Sequence, residues 1–138
     1  MKARNNIVLT ALLLAAASAS AQETAAPPQW QVSDAAQYVC GGVSDEGMAA
    51  ITAQRSAANG ELLFTGGPEG AYLANVAVRV QGTSLKQALS FTANGPLCLL
   101  KLPNGSYTVD AEYKGRTITH RINIGNSLQQ SKFNWPTS

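Results

Sequence analysis

The chain has 138 residues, a formal charge of +2, 13% charged residues, two Cys and one His. That length fits one domain of ordinary size, and a hydrophobic share of 45% is enough to build a core. So small a net charge argues against a protein dedicated to binding the phosphate backbone of nucleic acids.

The first 21 residues have the layout of a secretory signal peptide. Lys2 and Arg4 precede an apolar run over residues 7–17, and small residues at 19–21 offer a cleavage site before Gln22. The run is too short to span a bilayer, which disfavours the alternative of a membrane anchor. We expect cleavage between Ala21 and Gln22 and a periplasmic or secreted mature chain without a stable membrane span. Its eight basic and eight acidic residues then balance.

The next two segments are predicted to be a flexible leader and the start of the domain. Residues 22–36 contain adjacent prolines and no periodicity, and Trp30 is their one large apolar side chain. The domain is assigned to residues 37–138, with a helix over about 45–59. Ser44 is the expected N-cap of that helix, because acidic residues fill the first turn that follows it.

From Gly60 onward the hydrophobic period changes from helical to alternating, with glycine, proline and asparagine turns between short segments. This pattern predicts an antiparallel sandwich in which each sheet has one face in water. Lys114-Gly115 is a two-residue turn, and pairing outward from it sets Val109 against His120 and Tyr107 against Ile122. A shift by one residue would bring polar side chains against apolar ones, so turn and alternation support the same register.

Several short motifs lie between residues 38 and 135, and together they resemble those of a known family. Residues 102–109 read Leu-Pro-Asn-Gly-Ser-Tyr-Thr-Val, and a Tyr-x-x-Gly-Gly-Val segment begins at Tyr38. Gly-Ala-Tyr-Leu-Ala-Asn-Val begins at Gly70, Gly-Pro at Gly95, and Phe-Asn-Trp ends at Trp135. In this order the motifs resemble those of small exported proteobacterial proteins with a carboxypeptidase regulatory-like domain.

That resemblance implies a fold and a route of export. The fold is a seven-stranded transthyretin-like (prealbumin-like) β-sandwich, here mainly β and preceded by one short α-helix. The family brings no established activity, and its motif positions are structural. Asn75 stands where the family pattern has Asp, and Ser44 where it has Gly. An enzyme family of the same fold hydrolyses 5-hydroxyisourate, but its sites need several His residues and a different C-terminal motif, so we exclude that activity.

The candidate chemical groups favour structural roles. His120 is the only histidine and shares the parity of Ile118 and Ile122, which predicts a partly buried ring bonded to a neighbour such as Tyr107. A role as ligand or base is the alternative, disfavoured because one isolated His makes neither a metal site nor a triad. Asp110 and Glu112 form a pair of carboxylates that could suggest acid/base work, but they are expected on a solvated strand face without a pocket. We predict no enzyme activity, no cofactor and no metal.

The two cysteines are predicted to form a disulfide. Cys40 and Cys98 both lie in the mature chain, and the exported compartment is oxidising. Two separate buried thiols are the alternative, because the sequence does not fix the Cα separation that a disulfide requires.

The sequence therefore predicts a non-enzymatic exported module that binds or scaffolds an unknown envelope protein, without nucleic acid. The alternative is a small-ligand or carbohydrate-binding module that uses exposed aromatic side chains. Trp30, Tyr72 and Trp135 are the candidates, and each also has a packing interpretation. A coplanar pair of exposed rings would favour the ligand, and an uncovered sheet edge would favour a protein partner.

Overall fold

Two β-sheets, stacked face to face, and one short helix form residues 27–136, the part of the chain that the computed structural model describes. The protein is mainly β, as predicted. The helix α1 spans Asp45–Thr52, and a 3-10 turn follows at Arg55–Ala57. The strands are β1 Gln31–Ser33, β2 Ala36–Gly41, β3 Gly60–Gly66, β4 Ala71–Tyr72, β5 Val76–Gln81, β6 Leu89–Ala93, β7 Leu97–Lys101, β8 Gly105–Tyr113, β9 Arg116–Ile124 and β10 Gln129–Trp135.

The strand order assigns six strands to one sheet and four to the other. The six-stranded sheet has the order β1-β2-β7-β3-β10, with the short β4 also paired to β3, and the four-stranded sheet has the order β6-β5-β8-β9. The described residues thus contain ten strands where the family resemblance implied seven. One pair also departs from the predicted antiparallel pattern, because β10 runs parallel to β3 along its whole length.

The main core lies between the two sheets and is filled by the alternating side chains that the sequence marks as inward. Along β5 the valines are buried and the residues between them are exposed, and in β8 Tyr107, Val109 and Ala111 are buried with half-buried residues between them. Tyr107, Phe64 and Phe133 are the largest fully buried side chains of this core. Alternation places one face of each strand against the opposite sheet.

The β8–β9 hairpin has the predicted register at each paired position. Val109 lies opposite His120 and Tyr107 opposite Ile122. Lys114 and Gly115 both have positive φ, 51° and 80°, as a type I′ turn requires.

The outer face of the six-stranded sheet is covered, which corrects the prediction of one wet face per sheet. Leu97 and Leu99 of β7 point away from the main core and form a second apolar cluster with Val39 and Ile51. Ile51 comes from α1, so the helix is the lid over this face. Cys98 and Leu100, which alternate with them along β7, face the main core. Leu97 and Leu99 therefore point to the opposite side of the sheet and are buried because the helix covers them.

The helix begins where predicted and ends earlier. The Ser44 Oγ accepts a hydrogen bond from the Gly47 N–H at 3.0 Å, which confirms the N-cap. The α-helix stops at Thr52 and not near residue 59, and the 3-10 turn fills the interval before β3. Val43 is 76% exposed, so it makes little of the staple contact with Met48 that a residue before an N-cap often makes.

The segment predicted as a leader contributes to the sheet. Residues 31–36 form β1 and the beginning of β2, and Gln31 lies opposite Tyr38. The described part of this segment is therefore structured from Gln31 onward, and its first strand is an edge of the six-stranded sheet.

Candidate functional site

Cys40 and Cys98 form a disulfide, as predicted. The two residues lie directly opposite each other in the antiparallel β2–β7 pair, with their Cα atoms 4.0 Å apart. The bond therefore joins two neighbouring strands of one sheet. Its sulfur atoms border the main core, where Cys98 is fully buried.

The three aromatic candidates do not come together. Trp135 is only 2% exposed, and its indole N–H donates to the Arg116 carbonyl at 2.9 Å, so it offers no surface to a ligand. Trp30 is half-buried against the cluster under the helix and donates to the Gln54 Oε1 at 2.8 Å. Tyr72 is 61% exposed. No stacked pair of exposed rings exists among residues 27–136, so these positions do not form a joint aromatic platform.

The ring of His120 is half-buried, and its partners belong to β10. Its Nδ1 lies 2.7 Å from the Oγ of Ser131, and its ring stacks on Phe133 with centroids 4.1 Å apart. The expected partner, Tyr107, instead donates its hydroxyl hydrogen to the Pro103 carbonyl. Ser131 belongs to β10, whose approach to β9 depends on the long-range β10–β3 pairing, so no local signal near His120 points to it.

Asp110 and Glu112 lie on the outer face of the four-stranded sheet, where the alternation places them. This face carries a shallow open groove of about 520 Å³. Its polar lining is Arg79, Ser90, Thr92, Asp110, Glu112 and Thr117. The Asp110 carboxylate accepts a hydrogen bond from the Thr119 hydroxyl at 2.6 Å. The groove is thus a polar surface rather than an enclosed cavity.

One border of this groove is the edge strand β6. It pairs with β5 alone and contributes Ser90 and Thr92 to the groove. Phe91, between them, points inward and stacks on Tyr38 of the other sheet, with centroids 4.0 Å apart and the planes inclined by 10°. This stack anchors the edge strand to the body of the sandwich without covering its open side.

β6 differs from the other sheet edges within residues 27–136. β1 and β4 have three and two residues, which is too short to template a long pairing. β9 and β10 carry Arg116, Arg121 and Lys132, and they contact each other through His120 and Ser131. β6 has five residues, none of them charged and none proline. Proteins usually protect an exposed edge with charges, proline or a cover, so an edge without them is suited to pairing.

The open side of β6 presents backbone hydrogen-bonding groups. The Ala93 carbonyl accepts from the Asn75 N–H at 2.7 Å, so Ala93 turns its backbone groups toward the β5 side. Successive residues of a strand turn these groups to opposite sides, so Thr92 and Ser90 present theirs to the open side. Within residues 27–136 no loop or side chain bonds to the backbone of either residue.

A second cleft gives room beside this edge. It has a volume of about 350 Å³ and lies where β6 ends, between Thr92 and Asn94 on one side and Gln31 and Tyr38 on the other. Cys40 also borders it. The open edge therefore faces a space that an extended chain can enter.

Other predicted features lie outside the described residues or involve no cluster. Ala21 and Gln22, the predicted cleavage site, precede residue 27 and are outside the described range. Within residues 27–136, no three His, Cys, Asp or Glu side chains are grouped closely enough to hold a metal ion. The same residues include no helix with the length and apolarity needed to cross a bilayer.

No family model matches the chain, and no curated protein matches it. The candidate site therefore stands on the geometry of β6 and its groove.

Proposed function

We propose that the protein is a non-enzymatic exported module that binds an extended segment of a partner protein along β6. The partner strand would add to the four-stranded sheet beside β6, through main-chain hydrogen bonds to Ser90 and Thr92. The observation that carries this proposal is the uncharged, uncovered five-residue edge, next to a cleft that can receive a strand.

Binding is favoured over catalysis by the surroundings of the candidate groups. His120 is engaged by Ser131 and Phe133 in the seam between the sheets. The Asp110 carboxylate is bonded to Thr119 on an open face, where water is not excluded. Catalytic acids and bases generally work in a water-excluding site that positions a substrate.

Export is supported by the disulfide, because such bonds persist in oxidising compartments. We propose the periplasm or the extracellular medium as the location, with a mature chain that begins at Gln22. The resemblance to carboxypeptidase regulatory-like domains fits the same proposal, since it implies an exported β-sandwich without an activity of its own. Mass analysis of the mature N-terminus tests the cleavage, and a mature protein that retains Met1 contradicts it.

Photo-crosslinking tests the binding edge. A photoreactive amino acid at Ser90 should capture a partner in the native envelope, whereas the same group at Thr117, on the far strand of the same face, should not. The capture should be lost in Thr92→Pro, since proline removes the outward N–H but is tolerated at an edge position whose N–H faces solvent. Thr92→Val, which keeps the backbone donor, is the matched control and should retain it.

Both variants must unfold at the same denaturant concentration as the parent protein, which establishes that the edge and not the fold has been changed. Capture of the same partner by a folded Thr92→Pro protein would contradict the proposal, because the added strand could then not use the Thr92 N–H.

A further inference from the structure

Arg79 is the charged residue of β5, the strand next to the open edge, and its surroundings indicate the chemistry of the partner. Arg79 lies on β5, directly opposite Ser90 of β6, and both line the groove. Arg79 is exposed, and Ser90 is too small to cover it. A strand added beside β6 would therefore pass next to Ser90, and the Arg79 guanidinium could reach it across that small side chain.

Arg79 has no carboxylate partner within residues 27–136. Asp110 is directly opposite on β8, but its carboxylate bonds to Thr119 of the next strand, on the side away from Arg79. The ion pair found among these residues joins Arg55 of the 3-10 turn to Glu61 of β3, which belongs to the other sheet. The guanidinium is thus a full positive charge held at the groove with its fork of donors available.

From this we infer that the partner segment carries an aspartate or glutamate in the position that lies beside Ser90, and that Arg79 binds its carboxylate. The inference rests on the proposed function, because it needs a strand beside β6. Neighbouring strands are about 4.8 Å apart, so the added strand would lie roughly 10 Å from β5. An extended arginine and an acidic side chain together cover that distance, and guanidinium and carboxylate form paired hydrogen bonds.

A basic partner residue is disfavoured by the same geometry. The carboxylates of the groove, Asp110 and Glu112, belong to β8, one strand farther from the edge than Arg79. A lysine beside Ser90 would meet the like charge of Arg79 before it reached Asp110. Thr92, Ala77 and Glu112 lie side by side across β6, β5 and β8. Both Thr92 and Ala77 therefore stand between Glu112 and the open edge.

A phage-displayed library of random linear peptides, selected on the mature disulfide-bonded protein, tests this inference. Selected peptides should share an Asp or Glu at one position among β-favouring neighbours. Arg79→Gln should weaken such a peptide by about 10- to 100-fold, the effect expected for lost hydrogen bonds between charged groups. Arg79→Lys should weaken it less. Arg121→Gln removes the same charge from the same face at the far strand and should leave the affinity unchanged.

The outcomes separate the two proposals. Peptides that lose binding in Thr92→Pro but show no acidic preference and no effect of Arg79→Gln overturn this inference and leave the proposed function standing. A library that yields no binder, or binders unaffected by Thr92→Pro in a folded protein, overturns the proposed function itself. Recovery of binding when Arg79→Glu meets a peptide whose acidic residue is changed to Lys would establish the direct contact.

Discussion

His120 and Ser131 join the two sheets at the side where their edge strands meet. The imidazole Nδ1 of His120 in β9 is 2.7 Å from the Ser131 Oγ in β10, although these strands share no backbone ladder. Stacking of the same ring on Phe133 adds a contact with the main core. The single histidine thus has two partners that both belong to β10.

We expect His120→Ala to destabilise the protein by about 1–3 kcal/mol, because truncation removes ring packing and leaves the Ser131 hydroxyl without its partner. Ser131→Ala removes only the hydrogen bond and should cost about 1 kcal/mol. Urea unfolding of both variants, with the exposed Thr117→Ala as control, measures the difference. A His120→Ala protein that unfolds like the parent but no longer captures its partner would show that His120 serves binding instead.

Loss of the disulfide should be the largest single effect on stability. The bond closes a loop between residues 58 positions apart, and the chain-entropy model assigns about 4 kcal/mol to a loop of this size. Urea unfolding with and without a reductant measures this loss, and the Cys40→Ala/Cys98→Ala protein should match the reduced parent. Thiol titration of the unfolded, unreduced protein should find no free thiol; two free thiols would contradict the bond.

Tyr107 should make the stability fall at alkaline pH. Burial raises the pKa of Tyr107, whose hydroxyl donates to the Pro103 carbonyl. Its pKa in the unfolded chain is about 10, so the folded state holds this proton more tightly. Its contribution is therefore fully present below about pH 10 and is lost as the pH rises through the higher folded pKa.

Tyr107→Phe isolates this contribution. The variant should lose about 1 kcal/mol at neutral pH, where the hydroxyl bond is gone, and should fall less steeply than the parent above about pH 10. Unfolding free energies measured in urea from neutral to alkaline pH test it. Parallel curves for the two proteins would contradict a role for Tyr107, whatever their absolute stability.

Removing one partner of the Arg55–Glu61 ion pair should lower the free energy of unfolding more than replacing both partners with apolar residues. The Glu61 carboxylate is buried and receives the Arg55 Nε at 2.6 Å and the Gln130 amide at 3.2 Å. Arg55→Ala leaves that carboxylate with the amide alone. We expect a loss of about 1–3 kcal/mol, less than for a fully buried pair because the Arg55 side chain is 44% exposed.

An apolar double variant, Arg55→Met/Glu61→Leu, is the test of that reasoning. Replacing both partners removes the buried charge together with its counter-charge, so much of the lost stability should return. Denaturation of the single and double variants at low and high salt measures this. The loss in free energy of unfolding in the double variant is compared with the summed losses of the single variants Arg55→Ala and Glu61→Leu. A larger loss in the double variant would show that the pair has a role beyond neutralising Glu61.

The parts of the fold that the sequence predicts are those set by neighbouring residues. The β8–β9 register follows from a two-residue turn and two alternating strands, and all of that information lies within residues 105–124. The N-cap at Ser44 is equally local. The oxidising compartment and the presence of only two cysteines predict their pairing, and the β2–β7 ladder places them opposite each other.

The parts that the sequence does not reveal depend on strand order. Leu97 and Leu99 are apolar on the parity opposite to Cys98 and Leu100, a pattern typical of a strand buried on both faces, but only the packed helix identifies what covers them. The parallel partner of β10 and the open side of β6 have no local signature either. From the sequence alone Arg79 is an ordinary solvent-facing residue of an alternating strand. Only the strand order shows that it lies opposite Ser90, beside the open edge.

The parallel pairing of β10 with β3 also sets an order of assembly. Gly60 pairs with Gln129 and Gly66 with Trp135, so this half of the sheet cannot close until the chain has been completed through residue 135. Strands β2, β3 and β7 can associate before that point, with the disulfide joining β2 to β7. Before β10 pairs with β3, Phe64 lacks the Phe133 and Trp135 rings that pack against it. The backbone groups along this edge of β3 are then unpaired. Pairing over such a separation is slow, so a chain interrupted before residue 129 would expose an apolar strand edge and be a substrate for proteolysis.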